Sequence, residues 1–144
     1  MKKIPNWLIW SIVIVAFAGF LDATYLTVAH FSGSELNCSI LEGCNEVTAS
    51  EYSKIFGIPL ALMGSLYYIT ILILTLLHYD TGNKNVISLV PILTTIGFIF
   101  TLYLVYLQLF VINAICVYCM FSALTSTVLF VLGLFILKYR KRLK

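Results

Sequence analysis

Four apolar runs dominate the chain, over residues 7–31, 58–77, 86–113 and 116–137. Each reaches the roughly 20 residues that an α-helix needs to cross the hydrocarbon core of a bilayer. One acid, Asp22, interrupts the first, and the second ends at His78-Tyr79-Asp80. The segment Asp80-Thr81-Gly82-Asn83-Lys84-Asn85 is dense in turn formers and predicts a tight connection between two helices. A second short turn is expected around Asn113-Ala114, and a longer polar loop, residues 32–57, separates the first two runs. The pattern predicts an all-α membrane protein, a single domain over residues 1–144 built as a four-helix bundle. Pro59 fits the first position of the second helix, and Pro91 is expected to kink the third.

Composition excludes a water-soluble globule. The chain is 61% hydrophobic and 10% charged, with a mean hydropathy of +1.02, where a soluble domain carries about 25% charged residues. The net charge of +3 does not point to nucleic acid, because five of the nine basic residues crowd into positions 138–144. Basic residues near helix ends stay cytoplasmic. With four spans, Lys2, Lys3, Lys84, Lys138, Arg140, Lys141, Arg142 and Lys144 fall on one side and Lys54 alone on the other. Both termini are therefore expected in the cytoplasm, in the cell (inner) membrane, with loop 32–57 extracytoplasmic. The first run is longer than the apolar region of a signal peptide and reads as a retained helix.

This topology gathers the cysteines on the outer face. Cys38 and Cys44 lie in the outer loop, and Cys116-Val117-Tyr118-Cys119 opens the fourth helix where the chain turns back. The outer face is where disulfides persist. A Cys-X-X-Cys at a helix N-terminus meets unpaired N–H groups and the positive end of the dipole, which favour a thiolate. One pair near lipid and one in a polar loop make the layout of an electron relay. Three other readings compete: two inert structural disulfides, a four-thiolate zinc site, and a thiol-based carrier of soft metal ions. Five residues between the loop cysteines fit zinc knuckles poorly, and a carrier would need thiols at depth or on the cytoplasmic side. No metal is expected.

The series Cys38-x5-Cys44-x5-Ser50-x-Tyr52, then Phe56-Gly57-Ile58-Pro59, then Cys116-Val117-Tyr118-Cys119 resembles the vitamin K epoxide reductase family, its bacterial branch more closely. The likeness runs from Asp22-x-x-Tyr25-Leu26 to the last helix. Quinone-linked DsbB-type oxidases carry their Cys-X-X-Cys in the first outer loop, so the order here is that of the vitamin K reductases. The resemblance implies that Cys116 and Cys119 form the redox centre beside a quinone, menaquinone or ubiquinone, with Cys119 touching the ring. It implies that Cys38 and Cys44 form a shuttle pair, Cys44 attacking Cys116, and that Ser50 assists by hydrogen bonding. The expected activity is oxidation of a thioredoxin-like (DsbA-like) partner at the expense of quinone, driving disulfide formation in exported proteins. Many bacterial relatives carry a fused thioredoxin-like domain; these 144 residues have none, so a separate partner is expected. Leu60 and Ala123 stand where the animal enzymes have asparagine and tyrosine, which puts epoxide reduction in doubt.

Other residues carry weaker signals. An acid within a span usually faces the bundle and carries function, so Asp22 is a candidate to hold a proton for quinol formation or to hydrogen-bond Tyr25. Both are candidate quinone-site residues. Phe98, Phe100, Tyr103, Tyr106, Tyr67 and Tyr68 offer an aromatic interior, although packing or the interfacial belt accounts for most such residues. Trp7 and Trp10 read as inner-interface anchors.

Overall fold

The computed structural model describes residues 4–32, 54–55, 57–111 and 117–142. Four long helices dominate it: α1 (Asn6–Ser32), α2 (Leu60–Thr81), α3 (Lys84–Tyr106), which a π-helical turn extends over Leu107–Val111, and α4 (Val117–Arg142). All four are long and apolar enough to span a membrane, and the protein is an all-helical, multi-pass membrane bundle. One small element was not foreseen from the hydropathy pattern. Strands β1 (Lys54–Ile55) and β2 (Ile58–Pro59) pair antiparallel just before α2. Pro59 is consequently extended (φ −61°, ψ 136°) and serves as the N-cap residue of α2, one position earlier than expected.

Lipid supplies no hydrophobic drive between helices, so close approach depends on small residues at the crossings. Three glycines provide it. A Cβ at Gly19 would overlap the ring of Tyr68, one at Gly97 the ring of Tyr67, and one at Gly133 the Thr94 hydroxyl. Hydroxyls within the spans return hydrogen bonds to their own helices, as lipid requires. Thr27 donates to the Ala23 carbonyl (2.8 Å), Thr75 to that of Ile71 (2.7 Å), and Thr94 and Thr95 both to that of Pro91 (3.0 and 2.7 Å).

The turn between α2 and α3 follows from its residues. Gly82 takes the left-handed conformation that ends α2 (φ 68°), and its N–H reaches the His78 carbonyl at 2.8 Å. The Asn83 side chain then caps α3 by accepting from the Asn85 N–H at 3.0 Å. Trp10 meets Tyr79 edge-on at 5.9 Å at this end of the bundle. Lys84, Lys138, Arg140, Lys141 and Arg142 lie at the same end by helix direction, opposite Lys54.

The two halves of the bundle differ in packing. Toward the basic end, Leu8 and Ile12 of α1, Ile71 of α2, Val90 of α3, and Leu129 and Ile136 of α4 make a close-packed core. Toward the Cys119 end, the helices enclose a cavity.

Candidate functional site

The cavity has a volume of about 570 Å³, within the range of small-molecule and cofactor sites. All four helices wall it: Ala23 and Leu26 of α1; Leu60, Gly64, Tyr67 and Tyr68 of α2; Leu93, Gly97, Phe100 and Tyr103 of α3; Cys119, Ser122, Ala123 and Ser126 of α4. Its lining is chiefly apolar, with half-exposed Met63, Ile99 and Tyr103 at the rim.

Cys119 lies in the first turn of α4, half-buried, on the cavity wall. The helix begins at Val117, so this thiol sits in the turn that carries the positive end of the helix dipole. Ser122 and Ser126 follow Cys119 at three and seven residues, the spacing that puts side chains on one helical face. The π-helical turn at the end of α3 buries Gln108 against the same cavity. Such turns recur at functional sites. The signal for Gln108, a lone amide in an apolar run, was present in the sequence but was not used.

Two adjacent tyrosines of α2 behave differently. Tyr68, 2% exposed, donates its hydroxyl toward the Ser122 carbonyl (3.0 Å) and shares contacts with Ser122 Oγ (3.0 Å) and Thr125 Oγ1 (2.8 Å). Tyr67 meets Tyr68 edge-on at 5.1 Å, and its own hydroxyl is fully buried without a hydrogen bond of good geometry among the described residues. Ser126 lies beside it, but the Ser126 oxygen accepts from Thr101 at 3.0 Å. A buried polar group left in that condition costs about 1–3 kcal/mol.

The sequence-based candidates divide accordingly. Cys119, Tyr67, Tyr68, Phe100 and Tyr103 line the cavity, and so do Leu60 and Ala123, the two departures from the animal pattern. Asp22 and Tyr25 are not on its wall. Asp22 lies near Tyr68, its Oδ2 buried without a hydrogen-bond partner among the described residues, and the half-exposed Tyr25 packs on Tyr118 with ring centroids 5.2 Å apart. Phe98 stacks on Phe130 at 4.4 Å, away from the lining, and Tyr106 packs on Phe110. Cys38, Cys44, Ser50, Cys116 and the expected turn at Asn113-Ala114 lie outside the described residues.

Four spanning helices around an apolar cavity, with a half-buried thiol in its wall at one helix N-terminus, define a polytopic membrane bundle with a cysteine on its cavity wall. The chain belongs to the vitamin K epoxide reductase family, whose model matches residues 10–134. It is similar to the thiol-disulfide oxidoreductase LTO1 of Arabidopsis thaliana, with 31% identity over 124 residues, 78% of this chain and 32% of that protein. The chain thus spans about a third of the length of this curated relative.

Proposed function

We propose that the protein is a thiol–disulfide oxidoreductase that passes electrons from a thioredoxin-like dithiol protein to a membrane quinone, and so drives disulfide formation in exported proteins. The observation that carries this reading is Cys119, set in the first turn of α4 on the wall of an apolar cavity between four helices long and apolar enough to span a membrane. Family membership and the likeness to a thiol-disulfide oxidoreductase support it.

The residues present fit a quinone headgroup. The wall is apolar, Gly64 leaves room where a side chain would fill it, and the Tyr67 hydroxyl is a buried polar group without a protein partner of good geometry among the described residues. Tyr67, Ser122, Ser126 and Gln108 are polar residues of its wall that would hold it. A quinone bound there supplies the acceptor for two electrons and two protons and leaves as the quinol.

The chain's own steps are thiol–disulfide exchanges. The partner's dithiol reduces the Cys38–Cys44 disulfide and is released as a disulfide. Cys44 then attacks Cys116 of a Cys116–Cys119 disulfide, Cys119 leaving as the thiolate, and attack of Cys38 on Cys44 closes Cys38–Cys44 and releases Cys116, so that both electrons end on the Cys116–Cys119 dithiol. The N-terminal turn of α4 favours the thiolate at Cys119, and the apolar wall excludes water from it. Ser50 assists this centre by hydrogen bonding. The direction is downhill because each 30 mV between two-electron couples is about 1.4 kcal/mol, and quinones lie above typical dithiols. The bundle sits in the cell (inner) membrane with the basic end cytoplasmic and the cysteines outside. Gathering the described cations Lys84, Lys138, Arg140, Lys141 and Arg142 at one end supports that orientation.

The test is anaerobic quinone reduction by purified protein, with dithiothreitol or a reduced thioredoxin-like protein as donor. Cys119→Ala and Cys116→Ala are expected to abolish turnover with either donor. Cys38→Ala and Cys44→Ala should abolish it mainly with the protein donor. Undiminished quinone turnover in Cys119→Ala overturns the assignment.

A further inference from the structure

We propose that the Tyr67 hydroxyl is the hydrogen-bond donor that fixes the far carbonyl of a bound quinone, the one pointing away from Cys119. The proposal rests on the quinone reading above and adds to it the residue that orients the headgroup.

The contrast with Tyr68 carries the argument. Both side chains reach the cavity from adjacent positions of α2, but Tyr68 commits its hydroxyl to Ser122 and Thr125. The Tyr67 hydroxyl is just as enclosed and is not hydrogen-bonded with good geometry among the described residues. A buried group of this kind calls for a ligand or another explanation, and the Tyr67 side chain is part of the cavity wall.

Two neighbours hold it ready. The Tyr67 ring lies so close to α3 at Gly97 that any side chain there would overlap it, which sets the side from which the hydroxyl can turn to a ligand. Behind it, Thr101 donates to Ser126 at 3.0 Å. The Ser126 proton can then turn toward the Tyr67 oxygen, which accepts it and keeps its own O–H to donate.

The rise of α4 leaves room for a headgroup between the level of Cys119 and that of Ser126. Ser126 lies seven residues beyond Cys119, about 10 Å along α4 at a rise of about 1.5 Å per residue. A ring in van der Waals contact with the sulfur spends about 3.5–4 Å of this. The hydrogen bond at the far carbonyl spends about 2.8 Å. What remains is about the length of one para-quinone ring with its carbonyl, whose C=O bond is about 1.2 Å.

The test uses Tyr67→Phe in the full chain, with a short-chain menaquinone and a short-chain ubiquinone, each carrying carbon-13 at its carbonyls. In wild type, infrared difference spectra are expected to show one carbonyl band displaced to lower frequency. Tyr67→Phe should lose that displacement and weaken quinone binding about five- to tenfold, tenfold being about 1.4 kcal/mol. Its melting temperature without quinone should stay the same or rise, because the hydroxyl removed has no protein partner of good geometry. Ser126→Ala is the second variant and should reduce the displacement without abolishing it. An unchanged carbonyl band and unchanged affinity in Tyr67→Phe, with wild type binding and reducing quinone normally, overturn the role of Tyr67 alone. Wild type that binds neither quinone overturns the functional reading, and this proposal with it.

Discussion

The hydroxyl of Tyr68 on α2 lies 2.8 Å from Thr125 Oγ1 on α4, and the same oxygen reaches Ser122 Oγ at 3.0 Å. Thr125 in turn donates to the Ser122 carbonyl at 2.8 Å. This knot joins two helices distant in sequence at the floor of the cavity. Tyr68→Phe is expected to lower stability by about 1 kcal/mol, the scale of a polar interaction between helices in a membrane protein. A comparison of detergent-solubilised melting curves checks this, and a variant melting like wild type refutes it.

Gly19 passes directly beneath the Tyr68 ring, and that ring is pinned by its hydrogen bonds. Gly19→Ala therefore has nowhere to push the ring and should cost about 1–3 kcal/mol, the range for overpacking. At Gly64 the nearest atom to an added Cβ is that of Ala23 at 3.8 Å, an ordinary contact. Gly64→Ala should change stability by no more than about 0.5 kcal/mol. The pair measured side by side tells overpacking from a general intolerance of the α1–α2 contact to an added methyl group.

Gly97 faces Tyr67 in the same way, but the Tyr67 hydroxyl is not tethered. Gly97→Ala should be absorbed by movement of the ring into the cavity, at the expense of the quinone. An increase of about tenfold in quinone KM is expected, equivalent to about 1.4 kcal/mol, with a normal rate of reduction of the cysteines by dithiothreitol. Steady-state kinetics at varied quinone concentration reads this directly. An unaltered KM would show that the Tyr67 ring position does not shape the site.

Orientation can be tested on the basic end. In a cysteine-free background, Lys54→Cys should react with a membrane-impermeant maleimide in intact cells. Arg142→Cys should react only after the membrane is opened. The reverse pattern would place the thiols in the reducing compartment, where a disulfide relay could not operate.

Much of this was legible in the sequence. The four apolar runs gave the helices because a lipid solvent leaves a spanning chain little choice but to satisfy its backbone internally. The Gly82-Asn83 connection was legible for a local reason: glycine accepts a left-handed φ and asparagine caps the next helix. Cys119 could be placed at a helix start because the apolar run beginning at residue 116 had to turn back there. The short β1–β2 pairing was not legible, since two-residue strands leave no periodicity to detect.

The aromatic residues mark the limit. Phe98 and Phe100 are two residues apart and chemically alike, yet one stacks on Phe130 and the other faces the cavity. Asp22 and Tyr25 drew attention as polar residues in a span, but α1 contributes Ala23 and Leu26 to the wall instead.

The sequence alone determined that the chain crosses the membrane as helices and that one thiol starts the last of them, because hydropathy and turn chemistry act over a few residues. Only the tertiary structure decided that one half of the bundle is packed and the other hollow. It alone decided that Tyr68 is tied to α4 while the neighbouring Tyr67 hydroxyl is buried without a hydrogen bond of good geometry among the described residues. Those outcomes depend on how glycines 19 and 97 let the helices approach, and a crossing between distant segments leaves no mark on local pattern.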